Sequence, residues 1–153
     1  MIEIKNLSVT YPKTSHISEI IALKNINLKI EDNTFYVVVG SSGSGKTTLL
    51  NAICGILNYK GEIYFDGVES NLIDISDRNI SLTSQKFVLY PQMNIFENIA
   101  FPLKVLNAKG EEIRERVNEI SKLLGIDDIL SRVPSQLSIG QCQRVLIAKA
   151  LIK

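Results

Sequence analysis

Residues 34–57 read TFYVVVGSSGSGKTTLLNAICGIL, and this stretch decides the fold. Residues 34–39 are a continuous apolar, β-branched run closed by Gly40, the pattern of a strand buried on both faces. From Lys46 onward, Leu49, Leu50, Ile53, Ile56 and Leu57 recur at helical spacing, with Gly61 ending the segment. Between strand and helix stands Gly40-Ser41-Ser42-Gly43-Ser44-Gly45-Lys46-Thr47, which satisfies the pattern GxxxxGK followed by Ser or Thr. Each residue type has a task there. Gly40, Gly43 and Gly45 admit backbone conformations and close approaches that a Cβ blocks, so consecutive N–H groups converge on phosphate oxygens. The positive end of the following helix adds to that anion site. Lys46 brings a point charge to the β- and γ-phosphates, the Thr47 hydroxyl suits Mg²⁺, and Thr48 adds a further phosphate hydrogen bond. The stretch predicts a site for a nucleoside triphosphate.

Outward from this loop, Ile2, Ile4, Leu7 and Val9, and then Ile26, Leu28 and Ile30, alternate with polar residues at period two. This predicts two half-exposed antiparallel strands joined by a polar connection at 12–18. Residues 62–65 read as a further short strand with a turn at Asp66-Gly67, and 80–82 as another. Beyond Pro91 the period becomes helical over 95–100, with Pro102 and Gly110 as punctuation. It continues over 111–124, where Ile113, Val117, Ile120, Leu123 and Leu124 fall on one face and Gly125 closes the segment. Residues 139–152 are helical again, with Val145, Ala148 and Ile152 on one stripe. The fold class is α/β.

Composition narrows the functions. The chain has 153 residues, 45% hydrophobic and 22% charged, the profile of one globular domain. Its 17 basic and 16 acidic residues are interleaved to a net charge of +1, without the one-sided excess of a nucleic-acid-binding protein, so no nucleic-acid partner is expected. No apolar run approaches the ~18 residues that span a bilayer, and MIEIKNLSVT is not a signal-peptide core. Cys54 and Cys142 stand far apart, outside any metal-ligand spacing, and read as reduced thiols serving as small apolar side chains. His16, the only histidine, has no ligand partner by spacing.

Leu137-Ser138-Ile139-Gly140-Gln141, continuing as CQRVLIAKAL, resembles the signature segment of the ABC ATPases, LSGGQ followed by xQRVxIARAL. With the phosphate loop upstream, the chain resembles that family along its whole length, and the phrase from Tyr90 to Leu103 is similar to its solute importers. The resemblance implies a nucleotide-binding core over 1–92, a helical subdomain over 93–137 and a signature helix over 138–153, together one incomplete ABC ATPase domain. It implies ATP and Mg²⁺ as cofactors, transmembrane permease subunits and a second ATPase subunit as partners, and a place on the cytoplasmic side of the cell membrane. Tyr11 matches the aromatic residue that stacks on adenine. Gln85 matches the glutamine that contacts Mg²⁺ or the attacking water, which makes Gln85 and Lys46 the catalytic pair and Thr47 and Gln85 the metal contacts. Residues 137–141 would close over the γ-phosphate held by a partner subunit, a serine hydroxyl and glycine N–H groups at a helix start being suited to grip it.

Two departures set further expectations. Ile139 stands where the signature has its second glycine: its side chain either removes the close backbone approach or turns into the core, leaving Ser138 and Gly140 to suffice. The family's next elements, an apolar strand ending in Asp-Glu and later a switch histidine, would follow Lys153. Hydrolysis by this stretch alone is therefore expected to be weak, and the unpaired edge beside the loop's strand is expected to make it marginally stable or self-associating.

Overall fold

The computed structural model describes residues 1–12, 19–83 and 88–152, apart from the side chain of Ser76. The chain folds as two compact units, 1–80 and 81–153.

In the first unit, β1 (Ile2–Tyr11) and β2 (Ile20–Ile30) pair antiparallel, with Ile2 opposite Ile30 and Ile4 opposite Leu28. β3 (Lys60–Phe65) pairs with the other edge of β1, placing Ile63 beside Ile4, and turns at Asp66-Gly67 into the short β4 (Val68–Glu69). Both turn residues take positive φ, 50° and 82°, as a tight hairpin reversal demands. The sheet order is β2-β1-β3-β4. The period-two residues Ile4, Leu7, Val9, Leu23, Ile63 and Phe65 turn to one face, against Leu49, Ala52 and Ile53 of α1 (Lys46–Ile53). That packing seats the phosphate-loop helix on the sheet.

Three expectations for this unit are corrected. The run 34–39 forms no strand: Phe35 is 94% and Val39 83% exposed. A strand buried on both faces needs a neighbour at each edge, and every ladder of the described sheet is accounted for by β1 to β4. The stretch 80–82, the other apolar run read as a strand, is likewise unpaired. Strand propensity without a partner does not make a strand. Third, α1 stops at Ile53, short of Ile56 and Leu57. Gly55 at φ 75° ends it, and Ile56 is exposed.

The second unit is helical. α2 (Ile95–Val105), α3 (Gly110–Leu123) and α4 (Ile139–Leu151) pack on one another around Ile99, Leu103, Ile113, Val117, Val145, Ala148 and Ile152. The expected stripe on α4 is therefore the buried one. α2 runs through Pro102 instead of ending near Ala100. The ring removes one backbone bond, but the burial of Ile99, Ala100 and Leu103 on either side holds the helix across it. On α3 the residue off the stripe is Leu123, 76% exposed, while Ser121 is buried in its place and donates to the Asn118 carbonyl at 3.0 Å. At about 100° per residue, 113, 117, 120, 121 and 124 cluster on one side and 123 falls well off it.

Candidate functional site

The loop 40–45 climbs to α1 through Gly43 and Gly45 at φ 80° and 89°. Gly45 is constrained twice, because an added Cβ would lie 2.8 Å from the Ala22 carbonyl oxygen and 2.9 Å from the Leu23 side chain on β2. Only glycine lets the loop press this closely on the sheet at that backbone angle. The Gly45 carbonyl accepts from Leu49 N at 2.9 Å, closing the first turn of α1. Lys46 folds back over the loop: Nζ donates to the carbonyl oxygens of Gly40 at 2.9 Å and Ser41 at 2.7 Å, and to Ser44 Oγ at 3.3 Å. The ammonium is thus held by the loop itself, and Lys46 helps line a pocket of about 330 Å³ with Val39, Gly40, Ser41, Ser44 and Gly45 and with Leu23 and Ile26 of β2. Ser41, Ser42 and Ser44 are exposed along the loop, as is Thr47 on the first turn of α1.

Thr47 is the loop's one exposed hydroxyl on the helix, and among the described residues no cluster of His, Cys, Asp or Glu is placed to hold a metal. A divalent cation at this position would take its remaining ligands from phosphate oxygens and water, which is how Mg²⁺ is commonly bound. The residues fit that ion. Thr48 is buried, at 9% exposure, and its Oγ1 lies 3.2 Å from the Tyr11 hydroxyl. Tyr11 ends β1, with 39% of the residue exposed. Gln85 and His16 lie outside the described residues.

In the second unit, Ser138 caps α4: its Oγ accepts from Gln141 N at 3.3 Å, and Ser138 N donates to Gln141 Oε1 at 2.9 Å. The sequence S-I-G-Q thus forms a reciprocal capping box that occupies the Gln141 N–H and leaves those of Ile139 and Gly140 open. Ile139 is 70% exposed, which removes the alternative that it turns into the core. Around Gly140 an added Cβ would meet nothing within 4 Å. Leu137 packs against the core of the helical unit. The helix is pinned farther along by Arg144, whose Nη1 donates to the carbonyls of Leu124 and Gly125 at 3.3 and 3.2 Å.

Sequence reasoning passed over two residues here. Asn98 is fully buried. Its Oδ1 accepts from Tyr90 N at 2.7 Å, and its Nδ2 donates to the carbonyls of Tyr90, Met93 and Asn94 at 3.0–3.1 Å. It shapes the turn that leads into α2. Lys149 of α4 donates to the Val88 carbonyl at 3.4 Å and covers the Tyr90 ring. Burial pushes its ammonium below the ordinary lysine range. An asparagine inside an otherwise apolar helix stripe was the available signal for the first. The second needed three-dimensional contact to be seen.

A glycine-rich loop with a lysine folded across it, delivered to a helix N-terminus that packs on a sheet, defines a P-loop nucleotide-binding protein. The family described as ABC transporter matches residues 23–153. The chain belongs to that family. It is 42% identical over 98% of its length to a glucose import ATP-binding protein, GlcV, of Saccharolobus solfataricus, of which it spans 43%. Two solved structures of the ATP-binding cassette MJ0796, both 36% identical, match 99% of this chain and 69% of theirs. One is a dimeric post-hydrolysis state bound to ADP and Pi, with a TM-score of 0.85; the other is a dimer described as a bacterial ABC transporter cassette, with a TM-score of 0.86. The fold is that of the ABC ATPase cassettes, mixed α/β. Among the described residues no helix is long and apolar enough to cross a membrane.

Proposed function

We propose that this chain is the nucleotide-binding part of an ABC transporter ATPase, binding MgATP on the loop 40–48 and driving solute import through membrane-spanning partners. The observation that carries it is the Lys46 seat: three oxygens of the loop hold a cation where the β- and γ-phosphates would displace them. Gly40, Ser41, Ser42, Gly43, Ser44 and Gly45 offer the phosphates their backbone N–H groups, Thr47 and Gln85 serve Mg²⁺, and Tyr11 and Thr48 complete the nucleotide's surroundings. Gln85 and Lys46 act on the transferred phosphoryl group.

The capped start of α4 grips the nucleotide of a second ATPase copy, with Ser138, Gly140 and Gln141 supplying the donors, Leu137 anchoring the turn and Ile139 at its open face. The dimeric state of the solved cassettes supports this reading. A sugar is the favoured solute class, on the name of the curated relative. The protein then works at the cytoplasmic face of the cell membrane.

Calorimetric titration with MgATP, paired with a phosphate-release assay, tests the proposal. Binding that Lys46→Ala weakens at least about tenfold supports it, loss of one charged phosphate contact being of that order. Equal affinity in the two proteins sinks it.

A further inference from the structure

Two adjacent hydroxyls leave the phosphate loop in different directions. Thr47 and Thr48 are consecutive on α1, and a helix turns about 100° per residue. Thr47 is exposed, whereas Thr48 is 9% exposed and its Oγ1 meets the Tyr11 hydroxyl at 3.2 Å. Tyr11 is the last residue of β1, where the ladder to β2 ends at the pair Tyr11 and Ile20, so its backbone is fixed by the sheet and its side-chain tip by α1. A phenol ring held at both ends, by the β1 backbone and by the Thr48 hydroxyl, with 39% of the residue still open, offers a restrained apolar surface. A ring that is already restrained loses less side-chain entropy when a planar group lies on it.

We infer that Thr48 is a positioning residue for Tyr11: the hydrogen bond between their hydroxyls is a strut that fixes the base-stacking ring relative to the phosphate loop. The inference rests on the nucleotide-binding reading of that loop and deepens it. It gives the Thr48 side chain a task toward the base beside the phosphate hydrogen bond expected of it. The strut also explains why a tyrosine serves here, since a phenylalanine offers the same ring face and no hydroxyl to hold it.

Titration calorimetry on the chain with two probes, MgATP and magnesium tripolyphosphate, separates the two tasks. Tyr11→Phe keeps the ring and removes only the strut, and Thr48→Val removes the other half of it. Each should weaken MgATP about fivefold, the factor for one ordinary hydrogen bond. The double variant should be no weaker than Thr48→Val, Thr48→Ser should restore the wild-type affinity, and tripolyphosphate binding should stay unchanged in Tyr11→Phe. The strut is overturned if Tyr11→Phe binds MgATP like wild type, if the two losses multiply in the double variant, or if Thr48→Val weakens tripolyphosphate as much as MgATP. Should Thr48→Val fail to fold, Tyr11→Phe decides alone, by loss of MgATP affinity against unchanged tripolyphosphate. Wild type that binds neither probe overturns the nucleotide-binding reading itself, and the strut with it.

Discussion

Lys149 Nζ sits 4.2 Å from the centroid of the Tyr90 ring, and the same ring lies 4.7 Å from Phe101 at an interplanar angle of 49°. Three elements therefore meet at one cation: α4 supplies it, α2 supplies Phe101, and the segment leading into α2 supplies Tyr90 and the Val88 carbonyl. The lysine stem is partly buried, so the ammonium trades hydration for two ring faces and one carbonyl.

Lys149→Met keeps the length of the stem and removes the charge. It should cost about 1 kcal/mol of stability, the range of a partly desolvated cation–π contact, whereas Lys149→Arg should cost less. Urea unfolding measures both. A methionine variant as stable as wild type would show that the contact contributes nothing.

Asn98 makes the larger structural commitment. It is fully buried and uses both ends of its amide on the turn 90–94, whose last residue caps α2 with Glu97 through a reciprocal pair of hydrogen bonds at 2.8 and 3.0 Å. Asn98→Leu fills the volume and strands the Tyr90 N–H and the Met93 carbonyl, while the Tyr90 and Asn94 carbonyls keep the backbone N–H groups of Met93 and of residue 98. A loss of about 2–4 kcal/mol in chemical denaturation is expected, since unsatisfied buried polar groups cost more than the bond itself was worth. Asn98→Asp keeps one acceptor for Tyr90 N and should fall between leucine and wild type.

The start of α4 allows stability and recognition to be separated. Ser138→Ala removes the cap oxygen from Gln141 N and should cost about 1 kcal/mol. Ile139→Gly touches a side chain that is 70% exposed, so its structural cost is limited to the helix propensity of glycine, about 1 kcal/mol or less at a helix end. If this turn closes on a second copy's nucleotide, Ile139→Gly should also raise the MgATP-dependent dimer fraction seen by light scattering. An unchanged or smaller fraction would count against a steric role for Ile139.

The parts of the molecule legible in the sequence were those in which local pattern and tertiary partner agree. β1, β2 and β3 each carry a period-two stripe and each find an antiparallel neighbour. The phosphate loop is written in glycines, and Gly43 and Gly45 take the positive φ that its backbone requires. Residues 34–39 show the converse: their composition is that of a core strand, but β pairing is a property of two segments, and the described sheet offers them no partner. Pro102 and Leu123 failed as local signals for the same reason, because burial at Leu103 and Ser121 outweighed them. The Tyr11–Thr48 contact joins positions 37 residues apart and has no sequence signature.

Cys54 provides a pH-dependent test of the packing beneath α1. The thiol is half-buried at the C-cap of that helix, and burial raises its pKa above the ordinary value of 9.0, with the nearby Arg78 charge opposing as the smaller effect. The sign follows from which form each effect favours: desolvation penalises the thiolate, and a guanidinium stabilises it. Only the thiolate alkylates. In a Cys142→Ser background, iodoacetamide labelling followed by mass spectrometry should therefore reach half its limiting rate above pH 9. Arg78→Gln should move that midpoint higher still, because the one favourable charge is gone while the burial remains. A midpoint below 9 in the first protein, or a downward shift in the second, would mean that α1 ends in a more open environment than its packing on Ile4, Ile63 and Phe65 indicates.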